Sequence, residues 1–409
     1  MGLKKKILII SPKFPYPAYG ACEQDRAAGI EFFIKQGYDV QVITKVYADS
    51  YKPEAKAAGE KLGITVIPIS YKYLFTKTIS QKLWRGFLRL IQPWYLDGAA
   101  FEYSEPEIRR VLRETLDSFQ PDLVWFDYSY LWPLYELVRK RKIPIITRSI
   151  NFEPRHFLEE DGRNIINYLK FLPKLLSEYL VSKKSDVVFA ITPDEAVMYK
   201  KIGARHVEVL PLRGLPACLG EFPVAVKDHV PLNVFFSGST YNVIHNRKAL
   251  EFLLTEIIPE TFKQFPGQFI FHIFGGKVPV EFEKFFGNGV VKYGYLLLEE
   301  FQTKMQTMDI AVVPSLYGAG MQQKIFEPLA RGFPAIVSPR GLAGYPFQPG
   351  EHLLCATTAA EFLSGLGEMR SSHLREKLSR SAQALAQQLF SEEIIQTRIA
   401  GALAINSLL

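Results

Sequence analysis

Short apolar runs punctuate this chain and alternate with longer stretches whose apolar residues recur at helical spacing. "KKKILIISP" and "YDVQVIT" read as the first two strands; between them Gln24–Gln36 carries an apolar stripe through Ala27, Ile30 and Ile34 that Gly37 stops. "ITVIPI", "DLVWFD", "IPIITRS", "VVFAIT" and "VEVLP" follow as further short strands, and helical patterns such as Glu107–Phe119 and Asn167–Lys184 lie among them. Runs this apolar suit strands covered on both faces, and their alternation with helices predicts a parallel sheet of α/β type.

Residues 211–231 break the rhythm with four prolines and no periodicity. It then restarts: "LNVFFSG", a helix over Arg247–Ile257, "FIFHIFGG", "VVKYGY", a helix over Glu299–Thr307, "DIAVVPS", a helix within "GAGMQQKIFEPLARGFP", and "PAIVSP". The pattern predicts two Rossmann-like, doubly wound parallel-sheet domains, residues 1–212 and 232–388, joined by a linker over 213–231. A last helix over Ser371–Leu389 leads to a tail, 389–409, that crosses back toward the first domain. Such a pair is expected to face each other across a cleft at the carboxyl ends of both sheets.

A chain of 409 residues exceeds what one growing core accommodates, in keeping with two domains. No apolar run reaches membrane-spanning length, and the N-terminal segment is interrupted at Pro12 and Lys13, so a soluble cytoplasmic protein is expected. Three scattered cysteines suggest neither a disulfide framework nor a zinc cluster. The net charge of +7 is compatible with phosphorylated ligands or an anionic surface, while no nucleic-acid-binding signature is present and no nucleic acid partner is expected. A nicotinamide-binding site would need G-x-G-x-x-G after the first strand, where only Gly20 stands, followed by Ala21; a P-loop is also absent.

The stretch 318–334 carries the sharpest chemistry. Gly318 and Gly320 permit close approach to the backbone, and a helix start exposes unpaired N–H groups to an anion. Lys324 and Glu327, three residues apart, share one face of that helix. Amides of Gly318–Met321 with the ammonium can hold a diphosphate, and the carboxylate can accept from a ribose diol; the alternative is an i, i+3 salt bridge on a surface helix.

With "KILIISPKFPYPAYGA", "PDLVWFD", "SDVVFAITPDEAVMYKKIGARHVEVLP", "VFFSGSTYNVIHNRKALEFL", "MDIAVVPSLYGAGMQQKIFEPLARGFPAIVSP" and "PGEHLL", the chain resembles the GT-B glycosyltransferases of the retaining glycosyltransferase family 4, group 1, over essentially its whole length. The resemblance implies a GT-B fold and transfer of a sugar from a nucleoside-diphosphate sugar to a saccharide or lipid-linked acceptor. It also implies retention of configuration, in bacterial-type polysaccharide or glycoconjugate assembly. The family's paired glutamates flank seven residues; Glu327 matches the second, the ribose ligand, while Ala319 stands in place of the first. Gly318, Gly320, Lys324 and Glu327 instead match a branch with a G-x-G…K..E variant. By the same resemblance Gly20, Gly238, Asn246, Arg247, Gly275, Tyr295 and Met321 join the donor site, with Gly276 beside Gly275, and Asn151 and Glu153 stand near the acceptor. Asn246 can equally be a helix N-cap, one of Arg247 and Lys248 is expected to face water, Glu153 can equally pair with Arg155, and His272 reads as a satisfied core histidine. No metal and no cofactor beyond the donor are expected, the lysine and helix amides taking a cation's place.

Residues 73–96 interleave Lys77, Lys82, Arg85 and Arg89 with Trp84, Phe87, Leu88, Ile91 and Trp94, a composition suited to peripheral contact with an anionic membrane or to a packed helix with a cationic outer face. Two other functions share the architecture: a nucleotide-sugar 2-epimerase, which would need acidic groups for proton abstraction, and a non-catalytic scaffold, toward which Ala319 points.

Overall fold

The computed structural model describes residues 4–18, 20–72, 78–91, 97–160, 162–220, 226–316 and 321–406. The chain divides into two compact units, residues 1–214 with 395–409, and residues 215–394.

In the first unit the seven runs become seven strands: β1 (Lys6–Ser11), β2 (Asp39–Val46), β3 (Thr65–Ser70), β4 (Leu123–Phe126), β5 (Ile145–Arg148), β6 (Val187–Ala190) and β7 (Val207–Val209). They pair in parallel in the order β3-β2-β1-β4-β5-β6-β7. The strand order reverses between β1 and β4, which are hydrogen-bonded neighbours from Ile7↔Leu123 to Ile10↔Phe126. Helices α1 (Ala21–Lys35), α2 (Lys52–Lys61), α3 (Ile79–Ile91), α4 (Gly98–Glu102), α5 (Pro106–Phe119), α6 (Tyr135–Arg139), α7 (Glu153–Glu160), α8 (Ile165–Lys184) and α9 (Pro193–Lys201) connect or flank them. β4, β5 and β6 are buried at every position, as strands covered on both faces must be. Their starts are set by local chemistry: Pro106 opens α5, Asn164 caps α8 and Thr192 caps α9.

The second unit holds β8 (Leu232–Thr240), β9 (Phe269–Gly276), β10 (Val290–Gly294), β11 (Ile310–Val313), β12 (Ala335–Val337) and β13 (Leu354–Cys355), parallel in the order β10-β9-β8-β11-β12-β13. Five of these were foreseen; β13, two residues long, is too short to leave a pattern. Its helices are α10 (Ile244–Phe252), α11 (Ile258–Gln264), α12 (Leu298–Met305), α13 (Gln323–Ala330), α14 (Ala359–Glu368) and α15 (Ser372–Phe390). The helix expected over Arg247–Ile257 begins earlier, because Val243 is extended and Ile244 opens the turn; its last residues widen into a π turn before α11, which has Pro259 in its first turn. In this sheet the order reverses between β8 and β11.

A final helix, α16 (Glu392–Ile405), sends Ile395, Ile399, Ala402 and Leu403 into the same buried cluster as Ile7, Ile9, Val40, Val42 and Trp125 of the first unit. No described helix is long and apolar enough to cross a membrane.

Candidate functional site

In an open parallel sheet the loops leaving two strands diverge where the strand order reverses, and the space they leave at the carboxyl ends takes a ligand. In the second unit that point lies beyond β8 and β11, whose following helices are α10 and α13. Ser371 and Thr358 cap α15 and α14, but neither α10 nor α13 has a side-chain cap on its first turn. Orphan N–H groups at such a start favour an anion.

Lys324 stands in the first turn of α13 and its Nζ donates to Asn246 Oδ1 of α10 at 2.9 Å. Asn246 is buried, and its Nδ2 donates to the Thr240 carbonyl at 2.9 Å, which fixes its oxygen toward the lysine. It is therefore not the N-cap, a place held by Val243. Burial pushes the Lys324 ammonium down to about 8, and no neighbouring charge offsets that. Glu327 turns instead to Arg331, 3.1 Å away at i, i+4. The i, i+3 bridge between Lys324 and Glu327 is thus absent, and among the described residues the lysine has no ion pair. A cation left with a neutral amide in a half-buried place is electrostatically incomplete.

Around this pair Ser315 Oγ lies 2.6 Å from Gln322 Oε1, fixing the residue that precedes α13, and Met321 is buried. Gly318, Ala319 and Gly320 lie outside the described residues. Gly238 sits in a register shift of β8 against β9, and Gly275 has φ +135°, where a Cβ would meet the Gly238 carbonyl oxygen at 2.1 Å and the Tyr241 ring at 2.8 Å. Tyr241 is fully buried and donates to the Phe274 carbonyl at 2.8 Å. Gly275 is accordingly required by backbone packing at the strand end, while at Gly238 a Cβ would sit tightly, 3.0 Å from the Tyr241 ring. Tyr295 is 62% exposed and flanks Gly276. Arg247 points to the surface, in a 2.6 Å pair with Glu281. His272 is a satisfied core histidine: its ring lies 2.9 Å from Asn233 Oδ1 and 3.1 Å from the Tyr293 hydroxyl, and burial lowers its pKa.

The first unit gathers acidic groups beyond β4, β5 and β6. Glu153 opens α7; its carboxylate accepts a short hydrogen bond from the Tyr128 hydroxyl and lies 3.6 Å from Lys174 Nζ. Arg155, the partner considered for it from sequence, pairs with Glu159 at 3.0 Å. Asn151 donates to the same Tyr128 oxygen at 3.3 Å. Behind them the Glu178 carboxyl, fully buried, accepts from Ser129 and Tyr199 at 2.8 and 2.7 Å; burial pushes it up to about 8, those hydrogen bonds oppose the shift, and the Glu153 charge adds to it. Gly20 forms the extended entry to α1, with Glu23 folded over it and held by Lys13 at 2.8 Å.

Sequence reasoning missed one further constellation. Asp25 of α1 receives Arg213 at 2.7 Å and Arg148 at 3.2 Å, and Arg213 also reaches Asp127 at 2.8 Å, all fully buried. Burial alone would raise the Asp25 carboxyl, but the Arg148 and Arg213 guanidiniums hold it well below the usual carboxylate range. Separations of 188 and 123 residues leave no local signal of this network.

Residues 231–370 match the family model described as Glycosyl transferases group 1. The second unit is a glycosyltransferase-type domain. No curated protein matches the chain by sequence. Among solved structures the chain is similar to a sucrose-phosphate synthase from Thermosynechococcus elongatus, at 16% identity and TM-score 0.68, over 98% of this chain and 99% of that one. It is also similar to Anabaena HepE in complex with UDP and glucose, at 14% identity and TM-score 0.63, over 98% and 100%. A third is an Escherichia coli trehalose-6-phosphate protein bound with UDP-2-fluoro glucose, at 13% identity and TM-score 0.62, over 99% and 100%. These share the GT-B fold with this chain.

Proposed function

We propose that the chain transfers a sugar from a nucleoside-diphosphate sugar to a saccharide or lipid-linked acceptor, with retention, as a family 4 enzyme of the branch whose G-x-G…K..E variant, here Gly318, Gly320, Lys324 and Glu327, replaces the paired glutamates, Ala319 standing where the first would be. One observation carries the reading: an ammonium without a counter-charge among the described residues, held by Asn246 between two uncapped helix starts, at the point where the order of the second sheet reverses. A diphosphate supplies the missing negative charge. The C1–O bond to the diphosphate breaks, the acceptor oxygen bonds C1, and the acceptor proton passes to a leaving phosphate oxygen, so the scheme calls on no protein nucleophile and no metal. Lys324 and the first amides of α13 stabilise the charge as it develops on the departing group. Glu327, once released from Arg331, can accept from the ribose. Asn151 and Glu153, steadied by Tyr128 and Lys174, would orient the acceptor on the first unit, and α3 is the element that would meet a membrane holding a lipid-linked acceptor. Support for a uridine donor comes from the UDP and UDP-sugar complexes among the similar structures.

Lys324→Ala is expected to cut turnover by about 10²–10³-fold, as loss of one preorganised donor does, with the melting temperature unchanged. Incubation with UDP-, GDP-, dTDP- and ADP-sugars should give a glycosylated acceptor or slow hydrolysis. Interconversion of two donors would replace this reading with an epimerase, and donors left intact would replace it with a scaffold.

A further inference from the structure

Large apolar residues are scattered over most protein surfaces, so their concentration in one place is informative. Of the 24 exposed large hydrophobic residues among the described ones, 13 fall on two helices of the first unit. On α3 these are Ile79, Leu83, Trp84, Phe87, Leu90 and Ile91, and no residue of that helix is buried. The other seven lie on α8, which no motif singled out: Ile165, Leu169, Leu172 and Leu176 recur at i, i+4, i+7 and i+11, and Ile166 extends the stripe. Burial on α8 is confined to Asn167 in its first turn and, further along, to Ser177, Glu178, Val181 and Ser182, so the apolar side chains of its first half are not covered by the core.

The two helices are fastened at one place. Asp97, the buried cap of α4, lies 3.6 Å from Lys174 and accepts from Ser177 at 3.0 Å, both on α8. Arg89 of α3 lies against the adjoining Gly98. Two apolar stripes thus leave a common anchor.

Their charges decide what covers them. Residues 79–91 and 163–176 contain no aspartate or glutamate, while Lys82, Arg163 and Lys170 are exposed among the apolar side chains. Interleaved lysine is disfavoured in the core of a protein interface and favoured where a helix lies in the headgroup layer of an anionic bilayer. Trp84 and Phe87, stacked with ring centroids 5.6 Å apart, suit that depth.

We propose that α3 and α8 together form a docking surface for an anionic lipid bilayer, with both helices lying in its interface. This deepens the membrane contact considered above for α3 by adding a second, previously unassigned helix to it.

The test is co-sedimentation of the full chain with vesicles of phosphatidylcholine alone and of phosphatidylcholine with phosphatidylglycerol. Wild type should bind the anionic vesicles and release them as salt rises toward 1 M, where the Debye length shrinks to about 3 Å. The pair Leu169→Asp, Leu172→Asp and the pair Leu83→Asp, Phe87→Asp should each weaken binding at least about tenfold, with the melting temperature and the thermal shift given by UDP unchanged. Absence of wild-type binding overturns the proposal, as does an α8 pair that binds like wild type. So does a dimer of the free protein that the α8 pair converts to monomer without vesicle binding, since the occupant is then a second copy. Lys324→Ala should bind vesicles normally, so failure of the catalytic reading and failure of the docking surface are read in different assays.

Discussion

At Lys324 a proton is the variable. Burial lowers its pKa to about 8, so in the free protein the ammonium needed for diphosphate is present below that pH and lost above it. The expected profile of kcat/KM for the donor, which reports free-enzyme ionisations, therefore falls as pH rises through about 8. Lys324→Arg, whose guanidinium stays charged, should lack this limb whatever rate remains; a wild-type profile flat to pH 10 would remove Lys324 from the governing ionisation. Glu178 behaves oppositely to a paired carboxylate. Its folded pKa of about 8 stands above the ordinary value, so between about pH 4.5 and 8 the unfolded chain has lost a proton that the native state retains, and stability falls as pH rises through that window. Glu178→Gln should be free of this slope, and melting temperatures of both proteins from pH 5 to 9 would show wild type losing ground to the variant. Much at this scale was legible and much was not. The cation of the candidate site announced itself through the loop, helix and apolar face around it. That Asn246 holds Lys324 and that Tyr128 and Lys174 hold Glu153 depend on side-chain directions across elements tens of residues apart, which spacing along one chain does not encode, whereas the i, i+4 pair of Glu327 with Arg331 was open to reading from spacing and went unread.

Elements were read well where their pattern was long and poorly where packing decided. All seven strands of the first sheet left apolar runs, and β13 left none because two residues carry no period. Gly238 and Gly275 show a different limit. The resemblance gives both to the donor site, and the structure adds a packing reason for them that no sequence pattern carries, a tight joint between β8 and β9 with the Tyr241 ring closing it. Gly275→Ala brings strain from a positive φ together with a clash against backbone. It should destabilise the protein by about 3 kcal/mol or more, seen as a large drop in the denaturant midpoint, whereas a glycine needed only for ligand approach would lose donor affinity at normal stability.

For the whole molecule, the alternation of strand and helix was enough to give two parallel α/β sheets, because fully buried parallel strands write themselves as apolar runs. Long-range electrostatics stayed hidden. Asp25, Arg148, Arg213 and Asp127 tie the first helix to the ends of β4, β5 and the segment after β7 in a dry ionic knot. Asp25→Ala should cost about 3–5 kcal/mol, the usual result of stranding buried charge, measured as a shift of the denaturation midpoint; a change below 1 kcal/mol would mean that water reaches the knot.

The return of α16 has a temporal side. Residues 1–214 leave the ribosome early, but Ile395, Ile399, Ala402 and Leu403, which finish their core, emerge only after all of 215–394. At about 5–20 residues per second the first unit waits roughly ten to forty seconds for its last apolar pieces. The nascent amino-terminal half therefore holds part of its core open to water until α16 has been made, and it gains its full stability only then.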